Sequence, residues 1–119
     1  MEKVSYVLGF LFDENLQFVS MIRKINPHWQ NGKLNGIGGK IEGGEHPLSA
    51  MVREFLEETG VMFHGWKKVG KMSGSDFEVF VFAGKSDRVF DVDTKTEEEV
   101  YCFPISSLKV LNKISNIDW

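Results

Sequence analysis

The sequence predicts a single domain of the α/β class, built as either an α+β fold or an α/β/α sandwich. Three observations carry this. Apolar residues recur at helical spacing between Pro47 and Gly60, while runs rich in β-branched and aromatic residues flank that stretch on both sides. Read in order, the segments give β-β-β-α-β-β-β-α. The 119 residues leave room for one domain, 1–119, able to bury one core covering roughly 65% of the unfolded surface.

Val4 to Phe12 is a long apolar segment and reads as a strand buried on both faces. Asp13-Glu14-Asn15 is a turn, and Leu16 to Lys24 returns as the second strand of a hairpin. Asn26 to Lys33 carries proline and glycine breakers and reads as a polar loop. Leu34 to Gly39 is short, glycine-rich and extended, a composition that lets backbone approach a ligand where a Cβ would block it. The helix begins at Pro47, whose missing N–H costs nothing in the first turn. Leu48, Met51, Val52, Phe55 and Leu56 form its buried stripe, and Gly60 supplies a left-handed C′ residue. Trp66 to Met72 and Phe77 to Ala83 follow as strands around a Gly74-Ser75-Asp76 turn. Asp87 to Thr96 is polar and irregular, Glu98 to Phe103 is a further strand, and Pro104 opens a short helical turn through Leu111. Asn116 to Trp119 has the pattern of an amphipathic helix at its start, so the closing helix is expected to be short or missing.

With 26% charged and 42% hydrophobic residues, the composition fits neither a disordered chain nor a membrane protein. The net charge of −3 gives no electrostatic footprint for a nucleic-acid polymer. Cys102 is the only cysteine, which rules out an internal disulfide, fits a reducing compartment and reads as a small residue in a buried strand. No apolar run is long enough to span a bilayer, and Met1-Glu2-Lys3 leads into a strand pattern rather than a signal peptide. A cytoplasmic location is the expectation. His28, His46 and His64 lack zinc-site spacing; His46 reads as a helix-capping or surface residue, and Met51 and Met62 as core fillers.

The chemistry concentrates in one stretch. Glu54, Glu57 and Glu58 stand at i, i+3 and i+4, so they share one helical face behind a glycine-rich loop. Carboxylates so close either raise one another's pKa or recruit a cation, and oxygen donors suit a hard divalent ion. Residue by residue the stretch is Gly39, five residues, Glu45, seven residues, then Arg53-Glu54-Phe55-Leu56-Glu57-Glu58-Thr59-Gly60-Val61. It matches without gap or substitution the signature of the Nudix hydrolases, and the chain is identified by it as a resembling member of that family.

That resemblance implies an α/β/α sandwich with a mixed sheet. It implies that Glu54, Glu57, Glu58 and the backbone carbonyl of Gly39 hold one or more Mg²⁺ or Mn²⁺ ions beside a diphosphate. Arg53 and Glu45 would tie loop to helix by charge-assisted hydrogen bonds, with Gly60 closing the motif. Lys40 and Arg23 are candidates for phosphate oxygens, Arg23 having a solvated strand end as its alternative. The general base in this family comes from the helix glutamates or from a later acidic residue; of Glu97, Glu98 and Glu99, Glu98 is favoured. The Leu34-Asn35-Gly36-Ile37-Gly38-Gly39-Lys40 loop resembles MutT-type hydrolases of oxidised purine nucleoside triphosphates. Carried over, Asn35 would read a purine edge and Trp29 would stack on a base, against the alternatives of a turn asparagine and a loop tryptophan. Asn116 falls near an acidic pair that grips the oxidised base in that branch, and an amide there leaves oxidised-base preference open. The expected activity is hydrolysis of a nucleoside triphosphate, including an oxidised purine form, to monophosphate and pyrophosphate. Two alternatives stand beside it: cleavage of ADP-ribose or a dinucleoside polyphosphate, and a nucleotide-sensing module without turnover. The expected partner is a small nucleotide, with no nucleic-acid polymer and no membrane; the resemblance also admits a homodimer.

Overall fold

In the computed structural model, which describes residues 3–26 and 31–108, the first strand organises everything else. This strand, β1 (Val4–Phe12), is followed by β2 (Phe18–Arg23), β3 (Leu34–Asn35), β4 (Ile37–Lys40), α1 (Pro47–Thr59), β5 (Lys67–Ser73), β6 (Phe77–Lys85) and β7 (Val100–Pro104). Strand β1 pairs in parallel with β6 along its whole length, from Val4↔Phe77 to Phe12↔Lys85. On its other side it pairs antiparallel with β4, from Tyr6↔Lys40 to Gly9↔Ile37, and then with β2 at Phe12↔Val19. The sheet runs β3-β2-β1-β6-β5, with β4 joined to β1 and β7 to β2. The mixed α/β sheet predicted from sequence is therefore present.

Strand β1 differs from expectation in one respect. Val7, Gly9 and Leu11 are buried, while Leu8, Phe10 and Phe12 between them are only half-buried. Successive side chains of a strand point to opposite faces. One face packs under α1, which lies across β1 and β4; the other is partly open. The glycine-rich segment forms two short strands, β3 and β4, rather than one extended piece.

Helix α1 has the predicted bounds. His46 is its N-cap, with Nδ1 accepting the Leu48 N–H, and Gly60 adopts φ 80° while donating its N–H to the Leu56 carbonyl. The buried stripe is rotated from the predicted one: Ala50, Met51, Glu54, Phe55 and Thr59 are buried. Leu48 and Leu56 are each 38% exposed, so they do not belong to it, and Val52 packs at its margin. Met62 likewise faces solvent rather than filling the core. The main core gathers Val7, Leu11, Ile37, Met51, Phe55 and Trp66, with Phe55 and Phe63 edge-on to the Trp66 ring. A smaller cluster of Val19, Met21 and Leu34 sits on the opposite face.

Within the stretch read as irregular, Asp87–Asp91 forms a 3-10 helix capped by Ser86 and anchored by the buried Val89. After β7, Ile105–Ser107 is a short 3-10 turn where a helical turn was predicted. The expectations for His28, Trp29, Asn116 and the closing helix lie outside the described residues. No helix among the described residues is long and apolar enough to cross a membrane.

Candidate active site

Arg53, in the second turn of α1, is the hub of the site. Its Nε and Nη2 donate to the two oxygens of Glu45 at 2.8 and 2.9 Å, a fork-to-fork pair. Nη2 also donates to the Lys40 carbonyl at 3.1 Å. Nη1 lies 3.3 Å from Glu57 and 3.4 Å from both Glu42 and Glu54. The hydrogen bonds to Glu45 chiefly hold that carboxyl below the usual range and push the guanidinium pKa further up. One side chain thus fastens the 40–45 loop to the helix and shares its charge among the acids around it.

Glu54 is buried at 8% exposure and presses on the backbone of Gly39, where any Cβ would collide with its carboxylate. Burial, opposed by Arg53 and reinforced by the charges of Glu57 and Glu58, raises its pKa to about 7. Burial also raises the Glu58 carboxyl; the Thr96 hydroxyl counters that rise and the charge of Glu98 adds to it.

Glu98, close enough for its charge to act on Glu58, binds the chain at the end of β2. Its carboxylate accepts from Lys24 Nζ at 3.1 Å and from the backbone N–H groups of Ile25 and Asn26 at 2.7 and 3.2 Å. Burial pushes this carboxyl up, but those bonds and the Lys24 charge outweigh it and hold it below the ordinary carboxylate value.

On the opposite face of the sheet is a cavity of about 380 Å³ lined by Leu8, Phe10, Phe12, Met21, Asn35, Met72 and Val81. The even-numbered residues of β1 form its floor. Its walls are apolar but for Asn35, whose Oδ1 accepts the Gly36 N–H at 2.8 Å. The amide NH₂ is left as the donor that side chain can offer. Asn35 and Gly39 lie on one short segment, so the chain that borders the cavity also reaches the glutamate helix.

The NUDIX domain family profile matches residues 3–117. The chain belongs to the Nudix family. Two curated relatives are similar over part of it. The 8-oxo-dGTP diphosphatase of Escherichia coli (strain K12) is 41% identical over 61 residues, 51% of this chain and 46% of that protein. The oxidized purine nucleoside triphosphate hydrolase of Mus musculus is 37% identical over 71 residues, 56% of this chain and 46% of that protein. The chain thus spans about half the length of the curated relatives it matches. Among solved structures, a MutT from work on Aliivibrio salmonicida and Vibrio cholerae superposes with TM-score 0.80 at 19% identity, covering 92% of this chain and 86% of that one. The Nudix domain of Shewanella oneidensis NrtR in complex with ADP ribose gives TM-score 0.78 at 15% identity, covering 92% and 78%. At these identities the two structures speak for the fold alone.

Against this Nudix fold, the residues singled out in the sequence fall into three places. Glu45, Glu54 and Glu57 cluster around the Arg53 guanidinium, with Gly39 against the Glu54 carboxylate and Glu58 beside them on the helix. Asn35 sits apart, in the cavity. Arg23 is braced at the strand end, its Nη1 donating to the Gly32 carbonyl at 2.8 Å and its guanidinium 5.7 Å above the Tyr101 ring. Lys40 is exposed and contributes its carbonyl to Arg53. Trp29 lies outside the described residues. Sequence reasoning missed Lys24 and Thr96, which no motif marks, and the cavity floor, which the alternation of β1 could have revealed.

Nudix domains imply a divalent cation, and the donor chemistry here suits one. Two carboxylates whose ionised forms are disfavoured by burial adjoin a third on the same helical turn, and positive charge is what would stabilise them. Among the described residues no three acidic, imidazole or thiolate groups stand as the ready-made ligand set of an ion; Glu42, Glu54 and Glu57 meet instead at Arg53 Nη1.

Proposed function

We propose that this Nudix domain is a pyrophosphohydrolase that uses Mg²⁺ or Mn²⁺ to split a purine nucleoside triphosphate into monophosphate and pyrophosphate. The observation that carries the reading is the pairing on one segment of Gly39, against the glutamate helix, with Asn35, at an apolar cavity. Glu54, Glu57, Glu58 and the Gly39 carbonyl would hold the ion, which supplies charge neutralisation of the diphosphate and a more acidic water. The cavity receives the base, its apolar walls taking the ring faces and the Asn35 NH₂ donating to an acceptor on the base edge. Arg53 keeps the acidic cluster and the 40–45 loop in register, so the oxygens that would ligate the ion are held as a fixed array. The proton of the attacking water goes to a helix carboxylate. Glu98 is poorly suited to that role because its oxygens already accept three hydrogen bonds that favour its ionised form. The matched segments of the two curated relatives, both named for oxidised purine triphosphate substrates, add support for this substrate class.

The test is a panel of nucleotides with Mg²⁺ and with Mn²⁺, wild type beside Glu57→Ala. Pyrophosphate released from a purine triphosphate, lost in the variant and with ADP-ribose left intact, is the expected result. Cleavage of ADP-ribose in preference would move the substrate class, and no release from any nucleotide would favour a sensor.

A further inference from the structure

Of the three helix carboxylates, Glu58 is tied to the segment that precedes β7. The Thr96 hydroxyl donates to Glu58 Oε2 at 3.1 Å and accepts the Glu98 N–H at 3.2 Å. With one lone pair engaged by that N–H, the hydroxyl proton is directed at the carboxylate. A threonine this exposed ordinarily gives its hydroxyl to water, yet here both of its roles are taken by protein.

The surrounding strap is pinned at several points. Glu98 accepts from Lys24, Ile25 and Asn26. The Glu99 carbonyl accepts the Arg23 N–H at 2.8 Å, and Thr94 Oγ1 accepts the Val100 N–H at 3.0 Å. The stretch from Thr94 to Val100 is thereby anchored to the end of β2 on one side and reaches the helix through Thr96 on the other. Its bond engages one oxygen of Glu58 and leaves Oε1 unclaimed by it. Groups that hold a ligating side chain in one orientation raise metal affinity without touching the metal.

We propose that Thr96 is a positioning residue, set in place by Glu98 and Lys24, that orients the Glu58 carboxylate to receive a divalent cation. This rests on the functional reading above. It is tested without turnover by titrating Mn²⁺ into metal-free protein and following the free ion by electron paramagnetic resonance. Thr96→Val is expected to weaken Mn²⁺ binding ~10-fold, with Thr96→Ser within ~3-fold of wild type and all three proteins melting alike. In a Glu58→Gln background Thr96→Val should add no further loss, because its effect passes through Glu58. Equal Mn²⁺ affinity in wild type and Thr96→Val would overturn the proposal. So would equal losses in Thr96→Val and Thr96→Ser, or a full additional loss beside Glu58→Gln. A wild type that binds no Mn²⁺ would instead bring down the functional reading, and the strap with it.

Discussion

Gly38 and Gly39 are neighbours in sequence, yet an alanine at each should do opposite things. A Cβ at Gly38 would collide with the Val7 carbonyl oxygen and lie 2.7 Å from its carbon, in the backbone of β1. That obstacle cannot swing away; β1 and β4 would have to part along the register from Tyr6↔Lys40 to Gly9↔Ile37. A forced backbone shift of this kind costs about 3–5 kcal/mol, or a fall in Tm of roughly 15 °C or more for a domain of this size. A Cβ at Gly39 meets only the end of a side chain, 2.5 Å from Glu54 Cδ and closer still to Oε2. The carboxylate can rotate aside for about 1 kcal/mol of rotamer cost, offset by release of a charge held in a poorly solvated place. Gly39→Ala should therefore melt within a few degrees of wild type while losing ~100-fold in kcat, since Glu54 no longer stands where the site needs it. Thermal melts beside pyrophosphate release from a purine triphosphate with Mg²⁺ separate the two. A Gly39→Ala protein that unfolds as readily as Gly38→Ala, or one that keeps full activity, refutes the geometry argued here.

Arg53→Lys keeps the charge but loses the fork that grips Glu45 and the Lys40 carbonyl; a stability loss of about 1–2 kcal/mol and a drop in kcat of ~10-fold or more are expected from denaturant melts and turnover. Glu54 has a folded pKa of about 7 against an ordinary 4.5, so in metal-free protein the folded state keeps a proton that the unfolded chain releases. Stability should then be full below pH 4.5 and decline as pH rises to about 7, by at most ~3 kcal/mol. Denaturant melts in EDTA should show Glu54→Gln flattening that slope, and an unchanged slope would exclude Glu54 as its source. Asn35→Ala removes the donor in the cavity and should raise KM for purine triphosphates ~10-fold, with a smaller change in kcat. Steady-state kinetics with pyrimidine triphosphates alongside would reveal a merely structural role as an equal loss on all substrates.

What could be read in the sequence was whatever local chemistry decides. Pro47 and Gly60 bounded α1 because proline and a left-handed glycine act within one turn of the backbone. The Arg53–Glu45 link could be anticipated from the Nudix pattern. The rotation of the helix stripe could not. Periodicity finds an apolar face but not which residues lie at its centre, and here Glu54 takes a buried place that Leu48 and Leu56 give up. That exchange depends on Gly39 and Arg53 arriving from elsewhere to receive a carboxylate. The 3-10 helix at Asp87–Asp91 was hidden because its single buried anchor, Val89, gives no period. Glu98 was legible as an acid in the right region but not as a loop anchor, since the N–H groups it binds lie more than seventy positions earlier. Asp13 is a similar case: read as a turn residue, it is buried, and its carboxylate gathers the N–H groups of Asn15, Gln17 and Phe18.

The alternation along β1 has a practical consequence for anyone who would retune this molecule. Val7 and Leu11 support the helix that carries the acids, whereas Leu8, Phe10 and Phe12 shape the opposite hollow, so the two faces of the sheet are written on alternate letters of one strand. Phe10 and Phe12 also pack against Val19, Met21 and Leu34, so reshaping the hollow through them reaches the smaller core as well. An insertion or deletion inside the strand would swap the two sets at once, and nothing downstream could compensate.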